Sequence, residues 1–475
     1  MKSKSLRANL FYQLIYQGLV LFYPLLTTPL ISRAFGSETL GLYSYTYSIA
    51  YYFSLAAILG LGNYGSRMVA IYRDDKKTLR NIFWKLYSIQ LLCSVLTIIV
   101  YIFYVVAFEK AYYKAAMLQG IMIVASMFDI TWFLSGLEEF RSMVLRNSFI
   151  KISSLILIFK LVHEKSDLYA YIIIMTGTLA LGQLSMWPTV IRIIGRPFFS
   201  WNGVKKHFFP VLSLFLPVVA TNAYTVIDKT FLGVFRTMQE VGYYENSDKL
   251  VRMPTGLVVA ACVVLLPRAS YFISHGDKEK SDEYVVNTLS ITLVIIVPVA
   301  IGLAAIAPQI VPWYLGNDFL PCVDYIRFLC PIIVAMSVST ILRMQYFVPN
   351  NLDREYTTST IIGAVTNLLI NAALVTRFGI YGVIIGSVLS EIISMIYLFH
   401  KASRQLKFIS VLGIGIYSVL ACIPMVCVVQ YIGERFGAKI VTNILQMVVG
   451  GAVYGVIMAG FYFYVKYVKT KEECS

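Results

Sequence analysis

Apolar residues in this chain gather into long unbroken runs instead of alternating with polar ones. About fourteen runs fall near residues 9–32, 40–65, 84–107, 115–137, 148–163, 168–190, 208–232, 241–267, 285–307, 319–347, 358–376, 379–400, 408–431 and 440–466. A helix needs about 20 mostly apolar residues to cross the hydrocarbon layer, so each run predicts a membrane-spanning helix. The connectors alternate in charge. With the N-terminus in the cytoplasm, inner connectors and flanks hold 27 Lys and Arg against 11 on the outer side, with Lys229 and Arg327 inside spans. That asymmetry orients a helix bundle during insertion. The pattern predicts an all-α polytopic membrane protein of about 14 transmembrane helices with both termini cytoplasmic.

Composition agrees, with 58% hydrophobic and 14% charged residues. The formal charge of +15 lies in short loops between apolar runs. No soluble basic face exists to bind nucleic acid, and the charge suits topology and anionic membrane lipids instead. The first span follows a basic tail but lacks a small-residue cleavage site, so it reads as a retained helix. The seven cysteines show no CxxC spacing and read as small core residues.

An internal repeat organises the chain. Leu40-Gly41-Leu42-Tyr43 corresponds to Val241-Gly242-Tyr243-Tyr244 at an offset of 201, which also carries Arg67 onto Arg268 and Lys77 onto Lys278. An offset of six helices preserves orientation, so two six-helix lobes would be related by a pseudo-twofold axis along the membrane normal. The expected divisions are 1–196 (spans 1–6), 197–403 (spans 7–12) and 404–475 (two further helices and a tail). Pro24, Pro29, Pro217, Pro254 and Pro298 interrupt spans; each is either an ordinary bend or a hinge.

Ionisable groups inside spans are costly and mark pathways by default. Glu245, Asp248, Lys249 and Arg252 fall at i, i+3, i+4, i+7 on span 8 and share one helical face. Such a face lines an aqueous cavity or pairs with other helices. Asp324 and Arg327 form a smaller i, i+3 pair on span 10. Lys249, Arg252, Lys229 and Arg327 together favour an anion, and phosphate oxygens suit both Lys and Arg. Asp129, Asp228, Asp248 and Glu391 are candidates for ion coupling or for charge pairing, Glu391 with Asn367 or Asn371 in reach. Arg33, at the outer end of span 1, reads physically as a snorkelling anchor. The tyrosines at 43, 45, 47, 51 and 52 suit an interfacial belt or a sugar-lined wall. No phosphate-loop motif, HExxH or GxSxG pattern occurs, so neither an ATP motor nor an enzyme active site is expected, and no cofactor or metal.

Several stretches carry a family resemblance: Pro24-Leu25-Leu26-Thr27-Thr28-Pro29 into Ile31-Ser32-Arg33-Ala34-Phe35-Gly36, then Leu40-Gly41-Leu42-Tyr43-Ser44. Trp132-Phe133-Leu134-Ser135-Gly136-Leu137-Glu138, Ile227-Asp228-Lys229, Asp248-Lys249-Leu250, Pro254 and Leu265-Leu266-Pro267-Arg268 continue it. On these the chain resembles Wzx-type flippases for O-antigen or capsule repeat units, in the multidrug/oligosaccharidyl-lipid/polysaccharide exporter superfamily. Related lipid II flippases carry Asp-Arg-Leu where this chain has Asp248-Lys249-Leu250, mapping their cavity cation to Lys249. Their span 2 arginine falls here on Ser48, a departure pointing to another headgroup. The resemblance implies a V-shaped cavity between lobes and a location in the cytoplasmic membrane. It implies an undecaprenyl-diphosphate-linked oligosaccharide as cargo, flipped from inner to outer leaflet, with Arg33 among the cavity cations. Polysaccharide polymerase or assembly proteins are implied partners. The alternatives are a drug or small-cation antiporter of the same superfamily, which needs an acidic cavity, and a glycan polymerase or glycosyltransferase, which needs outer-loop acids.

Overall fold

The computed structural model describes residues 6–195, 203–222, 224–406 and 408–473; Lys2, Lys4 and Cys474 lie outside them. The described residues form helices and no strands. In chain order these are α1 Leu6–Ile58, α2 Leu61–Tyr72, α3 Lys76–Phe108, α4 Tyr113–Met127, α5 Thr131–Gly136, α6 Phe140–Leu161, α7 Leu168–Leu184, α8 Trp187–Ile194 and α9 Val204–Asn222. They continue as α10 Tyr224–Phe235, α11 Met238–Ser274, α12 Lys278–Tyr314, α13 Cys322–Leu329, α14 Pro331–Ile341, α15 Asp353–Phe378, α16 Ile380–Ala402, α17 Ile409–Phe436 and α18 Ile440–Glu473. Ten stretches among the described residues are long and apolar enough to span a membrane. The other expected spans correspond to the two arms of α1, to α6 and to the α9–α10 pair. The protein is an all-α polytopic membrane protein.

The arms of α1 meet at Gly36, whose φ of 67° and ψ of −178° break the helix. A side chain at that φ is strained, which only glycine avoids. The helix continues through Pro24 and Pro29, so the break falls at glycine and not at either proline.

Chain contacts divide the molecule into Met1–Gly242 and Tyr243–Ser475. In the first unit, α1 packs on α3, α4, α6 and α10, and α4 packs on α7. Repeat-related Gly41 and Gly242 meet backbone to backbone there. A Cβ on Gly41 would lie 1.6 Å from the Met238 carbonyl oxygen, and one on Gly242 would lie 1.9 Å from that of Ser37. An apolar core beneath α2, α3 and α5 contains Phe83, Trp84, Trp132 and Phe133, with Phe83 and Phe133 edge to face at 4.8 Å. In the second unit, α15 packs along α16, and α12 carries α17 and α18. Gly386 admits Asn371, whose Oδ1 would sit 2.2 Å from a Cβ at that position. Small residues four apart (Gly382, Gly386) allow such close helix contact.

Candidate functional site

On α11 the expected charged face is built, and its charges are paired. Lys249 Nζ lies 3.1 Å from Glu245 Oε1. Arg252 Nε lies 2.6 Å from Asp248 Oδ1, and its Nη1 lies 3.6 Å from Glu391 Oε1 on α16. Nη1 also reaches Met336 Sδ on α14 at 3.1 Å. Glu391 is 5% exposed and Asp248 9%, so the guanidinium compensates two carboxylates held largely out of solvent. A buried charge without a partner costs several kcal/mol, and the (i, i+4) spacing of Asp248 and Arg252 supplies one partner locally.

A neutral polar ladder adjoins this triad. Tyr244 Oη and Ser387 Oγ are 2.9 Å apart. Asn367 Nδ2 donates to Ser387 Oγ at 3.5 Å, and Asn371 Nδ2 to Asn367 Oδ1 at 3.2 Å. Asn371 thus bonds to Asn367 and Asn367 to Ser387, on the same pair of helices, α15 and α16, that carries Glu391 beside Arg252.

The other expected residues lie apart from this cluster. Arg327 and Asp324 pair at 3.4 Å on an exposed face of α13. Arg33 is exposed on the first arm of α1 and lines a pocket of about 440 Å³ with Leu26, Pro29, Leu30, Phe159, Val162 and His163. Asp228 is buried and Lys229 half-buried on α10. Nearby, Thr230 Oγ1 donates to Tyr52 Oη at 3.2 Å.

Asp129 occupies the break between α4 and α5, where its Oδ1 accepts the Thr131 backbone N–H at 2.9 Å. Gln90, fully buried, bridges the same break. Its Nε2 donates to Ser126 O and Asp129 O, each at 2.8 Å, and its Oε1 accepts Trp132 Nε1–H at 3.0 Å. Trp187 Nε1 donates to Phe128 O at 3.1 Å. A broken helix in a membrane needs such partners for its freed backbone groups, which gives Asp129 a capping task.

Three further charged residues stand out in the structure: Lys151 and Arg343 lie near the ends of runs 148–163 and 319–347, and Glu109 just after run 84–107. Lys151 sits at the centre of α6, half-buried, with Nζ 4.7 Å from the centroid of the Tyr23 ring. An ionised lysine at mid-membrane costs roughly 2.5–3.5 kcal/mol; a cation–π contact returns about 0.5–2 kcal/mol. Arg343 lies on a π-helical turn, Leu342–Phe347, a geometry common at functional positions. It donates to Ser394 Oγ at 2.7 Å and Ser359 Oγ at 3.3 Å. Glu109, buried, accepts from Tyr45 Oη at 2.7 Å and Tyr104 Oη at 3.0 Å.

Comparison with known proteins agrees with this architecture. A Shigella dysenteriae protein named as an O-antigen transporter is 21% identical over 404 residues, covering 83% of this chain and 99% of its own. An Escherichia coli K12 protein of the same designation is 22% identical over 411 residues, covering 85% and 98%. The solved structure of the lipid II flippase MurJ, inward closed, superposes with a TM-score of 0.76 at 16% identity, over 96% of this chain and 98% of that one. At that identity the match concerns the fold. The family model for polysaccharide biosynthesis proteins matches residues 6–273, more than half of the sequence, and the chain accordingly belongs to the polysaccharide biosynthesis protein family.

Proposed function

We propose that the chain is a flippase for a lipid-linked sugar. The cargo is an oligosaccharide on undecaprenyl diphosphate, moved from the inner to the outer leaflet of the cytoplasmic membrane by alternating access. Both termini lie in the cytoplasm, as the distribution of Lys and Arg suggests. The carrying observation is the polar constellation on α11: charged side chains on one face of an apolar helix, tied to α14 and α16. Relatives named as O-antigen transporters, matched along 83% and 85% of the chain, support the reading.

The geometry suggests how a cation could bind and release its cargo. Arg252 already holds two carboxylates, so a diphosphate engages it by exchange. The diphosphate offers more negative charge and a bidentate fit to the guanidinium. Asp248 and Glu391 then compete for the arginine, which keeps the binding modest. A carrier needs that weakness, because a headgroup held too tightly would stay on one side.

The same cluster also favours a second reading. Three carboxylates (Glu245, Asp248, Glu391) face two cations (Lys249, Arg252), a balance that suits a cationic solute in a drug-type antiporter.

Vesicles reconstituted with the protein separate the two. One arm follows a fluorescent undecaprenyl-diphosphate oligosaccharide between leaflets; the other follows a lipophilic cation. The variants are Lys249→Ala, Arg252→Ala and Arg252→Ala with Glu391→Gln, the last removing a stranded acid. Lipid movement in wild type that is lost in all three supports the flippase. Cation movement without lipid movement refutes it.

A further inference from the structure

We propose that Lys151, with Tyr23 and Ser154, forms a phosphate-binding site at mid-membrane depth in the first unit. Its ligand is the phosphate headgroup of a lipid-linked cargo, so the assignment rests on the flippase reading.

Depth is the first argument. The helix α6 spans Phe140–Leu161, and Lys151 lies ten residues from its C-terminal end. At 1.5 Å per residue that is about 15 Å, half of a hydrocarbon layer about 30 Å thick. Tyr23 lies about 18 Å from Phe35, where the first arm of α1 ends, by the same rise. Measured inward from Leu161 and Phe35, the two helices place the contact at similar depths.

The second argument is charge. Every Asp and Glu of the first unit falls among the described residues, and none of them forms an ion pair with Lys151. Its contact is the Tyr23 ring at 4.7 Å. Tyr23 Oη lies 3.0 Å from Ser154 Oγ and 3.5 Å from Met175 Sδ, and Ser154 Oγ lies 2.9 Å from the Lys151 carbonyl oxygen. None of these bonds uses the ammonium hydrogens. An ammonium with three donors matches the several acceptor oxygens of a phosphate. Arg252 differs, for its protein partners already balance it.

Access is the third. The faces of α1 and α6 that flank the site expose Leu26, Ile152, Ile156 and Phe159, apolar walls suited to a polyprenyl chain. The pocket beyond them holds Arg33, ten residues or about 15 Å along α1 from Tyr23. A phosphate leaving Lys151 in that direction meets a second cation.

The test uses the full-length protein in detergent and reads the thermal midpoint with undecaprenyl diphosphate, undecaprenol or inorganic pyrophosphate, for wild type, Lys151→Met and Lys151→Arg. Methionine keeps the length and removes the charge, so Lys151→Met without ligand should unfold at or above the wild-type temperature; a lower midpoint assigns the lysine a structural role and overturns the proposal. With ligand, the diphosphate lipid should stabilise wild type and Lys151→Arg. Lys151→Met should need about tenfold more lipid or beyond, the loss of one charge-assisted bond. Equal stabilisation of Lys151→Met, or none of wild type, overturns the site. Pyrophosphate matching the lipid overturns the lipid-headgroup assignment in favour of a free anion. Lys151-dependent stabilisation without flipping by wild type would sink the flippase reading and leave the phosphate site standing.

Discussion

Replacing Arg252 tests how the α11 cluster is held. At an effective dielectric of about 20, the 3.6 Å separation from Glu391 gives an attraction of about 5 kcal/mol, and the 2.6 Å contact to Asp248 slightly more. Burial of the charges cancels much of this, and the guanidinium is 23% exposed, which screens it further. What remains is asymmetric. Arg252→Met strands both carboxylates and should cost about 3–5 kcal/mol. Glu391→Gln should cost about 1 kcal/mol, because Arg252 keeps Asp248 and one buried charge disappears. Combining the two should recover about 2 kcal/mol relative to the sum, as the stranded Glu391 is neutralised. The assay is thermal unfolding of the four proteins in one detergent, with monodispersity checked by gel filtration. Additive losses, or an Arg252→Met protein as stable as wild type, would show that Arg252 does not compensate Glu391.

Other outcomes follow from the same geometry. Gly242→Ala forces a methyl against the Ser37 carbonyl and should destabilise by about 1–3 kcal/mol; an unchanged melting temperature would show that the Gly242–Ser37 approach relaxes without cost. Gln90→Met leaves Asp129 O and Trp132 Nε1 without their Gln90 partner, while Ser126 O keeps the Asp129 N–H at 3.2 Å; it should cost about 1–3 kcal/mol for each group that stays dry, readable as a fall in melting temperature. Asp129→Asn keeps an oxygen for the Thr131 N–H, so flipping should persist; its loss, with stability intact, would favour ion coupling at that position. Asp75 caps α3 through Lys77 N and Thr78 N, and its bonds to Thr78 hold its carboxyl below the ordinary 3.8. Its stabilisation is therefore present above about pH 4 and is lost as pH falls through the lower folded-state value. Asp75→Ala should lower the melting temperature at neutral pH and converge with wild type in strong acid.

The all-α membrane architecture and ten of the expected spans were legible in the sequence, because hydropathy is a property of consecutive residues and a membrane demands it of every span. The α11 face was legible too, since a helix fixes which residues share a side. Its charge balance was not. Glu391 lies 139 positions beyond Arg252 in the chain, and only the packing of α16 against α11 brings them together. Asp129 was open in the sequence between ion coupling and a hydrogen-bonded acid; only the fold shows the helix breaking there, with its carboxylate accepting the Thr131 N–H. For Lys151 the helix boundary matters: apolar run 148–163 puts it three residues from the start. The folded helix, beginning at Phe140, moves it to the centre. Sequence determines which segments enter the membrane because transfer free energy sums locally along the chain. Tertiary structure decides which buried charges are balanced, because a charge's cost depends on neighbours that the chain order does not specify.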